Sequence, residues 1–260
     1  MTPRRPDVIA CVVSHGQRGL LSRCLPGLRR DGIPIALLEN VPDGSAAYAA
    51  SLGARAGRNP EPRSFARNQN ALLAATSSRY VLVLNPDTQL EPGAVARLVE
   101  HADRHPNAGV VGPCLLDPDG RVQRSRRRFP TVAGTLVRRT PLRLALGDLE
   151  TAQPHHYLDD VPERPVRCDW MLGACLLLRR SMVEAIGGFD EGFPMYGEDI
   201  ELQYRALRHG WDRWYVPASR VVHDYQRVID RRLWSRRTLW HLRGMARYVR
   251  RHPEALLSLR

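Results

Sequence analysis

Two short acidic motifs carry side chains that suit catalysis or metal binding. Asn85-Pro86-Asp87 follows the apolar run YVLVL, and Gly197-Glu198-Asp199 precedes an amphipathic segment. A carboxylate on a proline-fixed turn suits Mg²⁺ or Mn²⁺, which prefer oxygen ligands and often share substrate phosphates. A carboxylate kept ionised by a helix dipole suits a general base.

Each motif also has a purely structural interpretation. Asn-Pro-Asp is good turn chemistry, and acids in a first helical turn stabilise the helix by about 0.3–1 kcal/mol. The glycine-rich lead-in GGFDEGFPMY is left unexplained by helix capping alone, because glycines allow sharp turns and close approach to a ligand. His223, Trp170 and Trp211 are each accounted for by packing, although a tryptophan can also stack on a sugar ring.

The first part of the chain alternates strand and helix patterns. Strands are predicted at residues 8–14, 35–40, 80–84 and 109–116, and helices at 20–30, 65–77 and 92–105. This order predicts a parallel sheet covered by helices, in which ligands bind beyond the carboxyl ends of the strands. Three polar clusters lie at those ends: Ser14-His15, Glu39-Asn40 and Asn85-Pro86-Asp87.

The second part is less regular. Residues 138–166 predict a loop excursion, and CDWMLGACLLLRR predicts a strand that contains a glycine. A helix is expected in the second half of GGFDEGFPMYGEDIELQYRALRHG, followed by a final short strand in WYVPASRVVHDY. We expect a domain at residues 1–228 and a basic helical tail at residues 229–260.

Composition is ordinary except for charge. The chain is 43% hydrophobic and 25% charged, its N-terminus lacks a signal-peptide core, and a cytoplasmic location is expected. Five cysteines without CxxC pairing predict buried thiols. The formal charge is +12 and every basic residue other than histidine is arginine. Clusters at Arg124–Arg128 and Arg227–Arg251 suit phosphates of nucleic acid, nucleotide or anionic lipid.

The chain resembles the family-2 glycosyltransferases. The resemblance lies in VIACVVSHGQRGLLSRCLPGL, Glu39-Asn40, SFARNQNALLAATSSRYVLVLNPDT, DPDGRVQRSRRRFP and CDWMLGACLLLRRSMVEAIGGFDEGFPMYGEDIELQYRALRHGW. These segments cover residues 8–225 in the family's order, and the block from GGFDE to GEDIELQYR is the most specific. The tail is similar to that of bacterial rhamnosyltransferases. The implied fold is α/β: a single Rossmann-like GT-A domain with a mostly parallel sheet flanked by helices.

The resemblance implies an inverting, metal-dependent transfer of sugar from a nucleotide-diphosphate donor, with Asp199 as the general base. Donor binding is implied for Ser14, Glu39, Asn40, Arg67, Asn68 and Asp87. Mg²⁺ or Mn²⁺ is expected on Asp87 with His223 as second ligand, and Trp170 and Glu198 are expected to shape the acceptor site.

Three positions depart from the family pattern. Glu39 stands where aspartate is more frequent, so the ribose contact is expected to change. Asn70 replaces a usual glycine and is expected to tighten the donor pocket, and His15 replaces a common tyrosine that would stack on the base.

Several alternatives stay open. The expected donor is dTDP-rhamnose, with UDP- and GDP-sugars as alternatives, and the expected acceptor is a saccharide or a lipid-linked saccharide of the cell envelope. The tail, with its arginines, leucines and tryptophans, fits docking on the inner face of a membrane, packing on the domain, or a homodimer contact. A nucleic-acid-binding protein fits the charge but lacks a helix-turn-helix, zinc-finger or RRM signature. A nucleotidyltransferase is disfavoured because the chain has no lysine.

Overall fold

The computed structural model describes residues 7–129, 160–193, 195–224 and 236–253. The strands are β1 (Val8–His15), β2 (Ile35–Val41), β3 (Arg55–Arg58), β4 (Tyr80–Leu84), β5 (Thr88–Leu90), β6 (Ala108–Leu116), β7 (Arg126–Arg127), β8 (Val166–Arg167), β9 (Trp170–Met171), β10 (Cys175–Arg179) and β11 (Asp212–His223). The helices are α1 (Arg18–Arg30), α2 (Ser45–Ser51), α3 (Phe65–Ala74), α4 (Ala94–Arg104), α5 (Arg180–Ile186), α6 (Glu198–Arg208) and α7 (Arg236–Arg251).

The main sheet has the strand order β3-β2-β1-β4-β10-β6-β11-β5, with β8 also paired to β11. Strands β3, β2, β1 and β4 run parallel to one another, as do β6 and β11. Between these parallel groups, β10 lies antiparallel to both β4 and β6. The carboxyl ends of β1, β2 and β4 therefore meet at one edge of the sheet.

Both faces of the sheet are covered, because its central strands are apolar on both sides. Ala10 and Val12 of β1 belong to the core cluster that contains α1 and α4 residues. Cys11 and Val13, which alternate with them, belong to the cluster that contains α3, α5 and α6 residues. Alternating side chains point to opposite faces of a strand, so a continuous apolar run of this kind predicts a doubly covered strand.

The elements differ from the sequence expectation in several places. Helix α2 and strand β3 were not predicted, and the helix expected at 65–77 ends at Ala74. The strand expected in CDWMLGACLLLRR is divided into β9 and β10. The final strand is 12 residues long rather than short, because it changes register between Val216 and Arg220 and continues along β6.

Most of the predicted excursion at 138–166 lies outside the described residues, as do parts of the tail at 229–260. Where α7 is described, it packs on the domain: Met245 and Tyr248 join Trp170, Phe193, Ile200 and Tyr204 in a third apolar cluster. This packing is one of the three roles considered for the tail. None of the helices in the described ranges is long and apolar enough to span a bilayer.

All five cysteines are buried and free, as their apolar surroundings predict.

Candidate functional site

A cavity of about 220 Å³ opens at the carboxyl ends of β1, β2 and β4. It is lined by Val13, His15, Gln17, Asn40, Arg63, Ser64, Phe65, Asn68, Asn85, Pro86, Asp87 and Met195. The lining combines apolar surfaces with a few amides and one carboxylate, as small-molecule sites commonly do. Three of the predicted donor-binding residues, Asn40, Asn68 and Asp87, are among these lining residues.

A buried amide network fixes the wall of this cavity. Asn59 donates from Nδ2 to Oδ1 of Asn40 at 2.8 Å and to Oδ1 of Asn68 at 2.5 Å. Asn40 in turn donates to Nδ1 of His15 at 2.8 Å and to the carbonyl of Arg63 at 2.9 Å. Buried networks whose members are satisfied hold one geometry, so this wall is formed before a ligand arrives.

The other three predicted donor-binding residues do not line the cavity. The Ser14 hydroxyl is buried and lies 2.7 Å from that of Ser45. The Glu39 carboxylate is fully buried and accepts backbone N–H groups at the start of α2, besides pairing with Arg58. The Arg67 guanidinium is exposed and pairs with Glu191 at 3.5 Å.

Asn70 likewise does not reach the cavity. Its Nδ2 donates to the carbonyl of Phe189 at 2.9 Å, and its Oδ1 accepts the N–H of the same residue at 2.9 Å. The expected tightening of the donor pocket is therefore wrong as a direct contact, because the side chain is directed towards the segment before α6.

Asp87 and His223 face each other at the end of the cavity. Oδ1 of Asp87 is buried and accepts no hydrogen bond from the described residues, and it lies 3.6 Å from Nε2 of His223. Gln123 donates from Nε2 to Asp117 and to the His223 carbonyl, both at 2.7 Å. Its Oε1 therefore faces Nδ1 of His223 at 2.9 Å and accepts a hydrogen bond from the Nδ1–H group.

This arrangement directs Nε2 of His223 towards a carboxylate oxygen of Asp87. An imidazole nitrogen and a carboxylate oxygen are both ligands that divalent metals accept. The pair thus fits a divalent metal, and the amide of Gln123 orients the imidazole as an outer-shell partner would. In the ranges that the structure describes, no group of three or more His, Cys, Asp or Glu side chains could hold a metal. Oxygen ligands from a diphosphate would complete such a site.

Asp199 lies in the first turn of α6 and is held by two backbone N–H groups. Gly173 donates to Oδ2 at 3.1 Å and Ile200 donates to Oδ1 at 2.9 Å. Burial raises the pKa of Asp199, while these two bonds and the positive charge of Arg127 oppose the rise. A carboxylate with a raised pKa is a stronger base, and the bonds fix its orientation.

Glu198 lies beside Asp199 and has fewer hydrogen-bond donors around its carboxylate. Its Oε2 is buried and has no hydrogen-bond partner among the described residues. Burial, together with the negative charge of Asp199, raises the pKa of Glu198 to about 8. Like charges this close do not ionise independently, so the two carboxyls titrate as a pair.

Backbone contacts place Asp199 on the same sheet edge as Asp87. The N–H of Asn85 donates to the carbonyl of Ala174 at 2.9 Å, next to the Gly173 that bonds Asp199. Met195, three residues before Glu198, lines the same cavity as Asp87. Asp87 lines the cavity, and Asp199 lies near the same sheet edge without being one of the lining residues.

Trp170 packs in an apolar cluster with Ile200, the residue after Asp199. Its ring is buried, its Nε1 donates to the carbonyl of Arg128 at 2.8 Å, and the guanidinium of Arg127 lies 5.0 Å from the ring centre. The arginine cluster at 124–128 thus includes one charge that acts on Asp199.

Sequence analysis missed Asn59, Gln123 and Gly173. Asn59 follows the unpredicted β3, and Gln123 is separated from His223 by 100 residues. The structure explains Gly173: a Cβ there would lie 3.1 Å from Cβ of Asp199. In the sequence, the one indication of this contact is the glycine within the predicted strand CDWMLGACLLLRR.

A model of the family described as glycosyltransferase-like family 2 matches residues 44–249. This match spans most of the chain, which therefore belongs to that family, as its motifs predict.

Two relatives are rhamnosyltransferases. The N-acetylglucosaminyl-diphospho-decaprenol L-rhamnosyltransferase of Mycobacterium tuberculosis is 40% identical over 152 residues, covering 55% of this chain and 46% of that protein. This chain thus spans about half the length of that relative. Rhamnosyltransferase WbbL of Escherichia coli K12 is 26% identical over 263 residues, covering 94% of this chain and 93% of that protein.

Two solved structures share the fold. GalNAc-T7 with UDP, GalNAc and Mn²⁺ aligns with a TM-score of 0.68 at 16% identity, over 94% of this chain and 48% of that one. The mannosyltransferase PcManGT from Pyrobaculum calidifontis, with GDP-Man and Mn²⁺, aligns with a TM-score of 0.59 at 15% identity, over 98% of this chain and 73% of that one. The predicted GT-A fold is confirmed.

Proposed function

We propose that this chain is an inverting glycosyltransferase that binds a nucleotide-diphosphate sugar in the cavity beside Asp87. One observation carries the proposal. Two side chains of metal-binding type, Asp87 and His223, share a sheet edge with a half-buried carboxylate held by backbone N–H groups, Asp199. These are the two chemical requirements of the transfer, a means of neutralising a diphosphate and a base for the acceptor hydroxyl.

Asp87 and His223 are the residues that would hold Mg²⁺ or Mn²⁺, as their geometry fits. Such an ion, when bound, supplies Lewis-acid stabilisation of the charge on the departing diphosphate. The amides of Asn40 and Asn68 face the cavity and are proposed to contact the nucleotide part of the donor. Ser14, Glu39 and Arg67 are proposed to act from outside the cavity, by supporting the loops that form it.

Asp199 is proposed to remove the proton from the acceptor hydroxyl. The freed oxygen forms a bond to the anomeric carbon while the bond from that carbon to the diphosphate oxygen breaks. Attack from the face opposite the leaving group inverts the anomeric centre. Glu198 and Trp170 are proposed to shape the acceptor side, because both adjoin Asp199 within the protein.

The donor is proposed to be dTDP-rhamnose, on the strength of the two relatives named as rhamnosyltransferases. A lipid-linked saccharide acceptor is proposed because the printed name of one relative includes N-acetylglucosaminyl-diphospho-decaprenol. Membrane contact through the exposed side of α7 stays a prediction, and so does a homodimer. A peripheral location on the inner face of the membrane would bring the cleft close to such an acceptor.

A thermal-shift panel tests the donor proposal. The full chain is heated with dTDP-rhamnose, UDP-sugars, GDP-sugars and a DNA duplex, each with and without Mn²⁺ or Mg²⁺. A ligand that binds only the folded state raises the melting temperature, so dTDP-rhamnose with metal should give the largest shift. Stabilisation by DNA alone, with no shift from any nucleotide sugar, would overturn the proposal.

A further inference from the structure

The segment at residues 187–197, here called the acidic-pair loop, connects α5 to α6 and ends directly before Glu198 and Asp199. Two elements of the domain hold its first part. The side-chain amide of Asn70 in α3 makes two hydrogen bonds to the backbone of Phe189. Nη2 of Arg205 in α6 donates to the carbonyl of Gly188 at 2.6 Å. Neither contact reaches its last part.

The last part of the acidic-pair loop has an unfavourable backbone. Tyr196 adopts a φ of 69°, which makes it the one described non-glycine residue with a positive φ. Gly197 follows with a φ of 97°. A non-glycine residue in this region costs about 1–3 kcal/mol, and it persists only where its surroundings enforce it.

Helix α7 packs against the loop at this point. Gly244 lies so close to the loop that a Cβ on it would overlap the carbonyl oxygen of Tyr196. Three residues along α7, Arg247 donates two hydrogen bonds to Asp190, at 2.9 and 3.1 Å, and its guanidinium lies 5.6 Å from the centre of the Phe193 ring.

Helix α7 and the residue after it also contact α6. Nε2 of His252, directly after α7, lies 3.3 Å from Oε1 of the fully buried Glu201, which pairs with Arg205 within α6. Tyr248 is buried and packs edge-on against Tyr204 of α6, with ring centres 5.5 Å apart. Helix α7 therefore contacts both the loop before the two carboxylates and the helix that begins with them.

We propose that α7 positions the catalytic carboxylates, with Gly244 and Arg247 as the positioning residues that hold Tyr196 and the acidic-pair loop in place. This proposal rests on the proposed function of Asp199. In it, α7 is a part of the active site rather than an appended tail, although neither residue touches a substrate.

The test compares Gly244→Ala and Arg247→Met with Arg250→Met, an exposed arginine on the same helix. Alanine is a better helix former than glycine, so Gly244→Ala keeps α7 helical while displacing the Tyr196 carbonyl. Misplacement of a base by about 1 Å costs about 100-fold, so kcat should fall by about that factor in both variants. The KM for the donor should change by about twofold or less, because Met195 is the one residue in the described part of this loop that lines the cavity. Arg247→Lys, which keeps one charge, should recover part of the loss.

Two further measurements separate positioning from unfolding. Donor binding measured by calorimetry should keep the wild-type stoichiometry in both variants. A lower kcat then cannot be due to a smaller fraction of folded protein. Hydrogen exchange of residues 189–201 should accelerate in Gly244→Ala and Arg247→Met but not in Arg250→Met. Unchanged exchange and kcat in both variants would overturn the proposal. If the wild-type chain transfers no sugar, the proposed function fails, and exchange still decides whether α7 holds the loop.

Discussion

Asp87 and Asp199 are both carboxylates at the same edge of the sheet, and their surroundings suit them to different tasks. Asp87 presents a buried oxygen without a donor among the described residues, opposite Nε2 of His223. Asp199 has both oxygens engaged by backbone N–H groups, in a site where burial raises its pKa. The first arrangement favours a cation and the second favours a proton.

Replacing Gln123 with leucine should weaken metal binding without removing a ligand. The amide of Gln123 fixes the tautomer and orientation of His223, and loss of such a partner commonly costs about 10- to 100-fold in metal affinity. The measurement is the Mn²⁺ concentration that half-saturates the donor-dependent thermal shift. Arg121→Met, at an exposed position on the same hairpin, is the control. Equal half-saturation in Gln123→Leu and the control would contradict this role.

Glu198→Gln should stabilise the fold more at about pH 8 than at about pH 5. Burial raises the pKa of Glu198 from 4.5 to about 8, so between these pH values the unfolded chain has lost the proton while the folded chain keeps it. The folded state therefore loses stability at this position as the pH rises, and glutamine removes that loss. Urea unfolding of metal-free protein measures it, with the exposed Glu184→Gln as control. A stability gain that is equal at both pH values would contradict the burial argument.

At the scale of elements, the break between β9 and β10 forms part of the site. It places Gly173 against the start of α6 and Ala174 against Asn85, so that one short turn joins Asp199 to the motif of Asp87. The structural role considered for Asp199 from the sequence is present, because its carboxylate accepts an otherwise unpaired N–H in the first turn of α6. Its role as a general base stays a proposal.

Gly173→Ala should therefore lower kcat by about 10-fold or more, with little change in donor binding. A Cβ at this position would lie 3.1 Å from Cβ and 3.3 Å from Oδ2 of Asp199, so the carboxylate must move. Gly19→Ala is the matched control, because a Cβ there meets nothing within 4 Å and the residue lies in α1. Steady-state kinetics of both variants measure the effect, and equal kcat values in the two would show that the contact is unimportant.

The sequence is sufficient to predict those helices and strands whose apolar pattern is strong. Strand β4 and the turn at Asn85-Pro86-Asp87 follow from a run of five buried residues that stops at a proline. Helix α2, SAAYAAS, could not be predicted because its small residues show no amphipathic period. Strand β3 could not be predicted because its four residues are mostly exposed. Strand β3 extends the sheet beside β2, where Arg58 is the partner of Glu39.

At the scale of the whole molecule, the positive charge is partly neutralised by internal pairs. Arg247 and Arg251 of the tail pair with Asp190, and Arg126 of the central cluster pairs with Asp160. Clustered arginines in the sequence therefore overstate the charge that is free to attract phosphate. Local sequence patterns cannot predict these pairs, because their members lie far apart in the chain, 57 residues for Asp190 and Arg247.

A second buried group, far from the site, should give the fold an acid limit. Burial, with the charges of His105 and Arg104, lowers the pKa of His101 from 6.5 to about 4. The folded state keeps this imidazole neutral, so stability is complete above about pH 6.5. Below about pH 6.5 the free energy of unfolding falls by up to about 1.4 kcal/mol per pH unit, because the unfolded chain gains the proton and the folded chain does not.

His101→Phe should flatten this dependence, because phenylalanine keeps the ring contact with Trp214, now 4.7 Å between centres, without a titrating group. Urea unfolding at about pH 7 and about pH 5 measures it, with the exposed His209→Gln as control. A pH slope in His101→Phe equal to that of the wild type would mean that other groups set the acid limit.

The central claim is that one cleft holds a donor through Asp87 and deprotonates an acceptor through Asp199. It is tested most directly by measuring donor binding and transfer rate side by side in Asp199→Asn and Asp87→Asn, with Mn²⁺ present. Asp199→Asn should bind the donor as the wild type does but transfer it about 100- to 10,000-fold more slowly. Asp87→Asn should lose the metal-dependent part of donor binding. Near-wild-type transfer by Asp199→Asn, or unchanged metal-dependent binding by Asp87→Asn, would contradict the account.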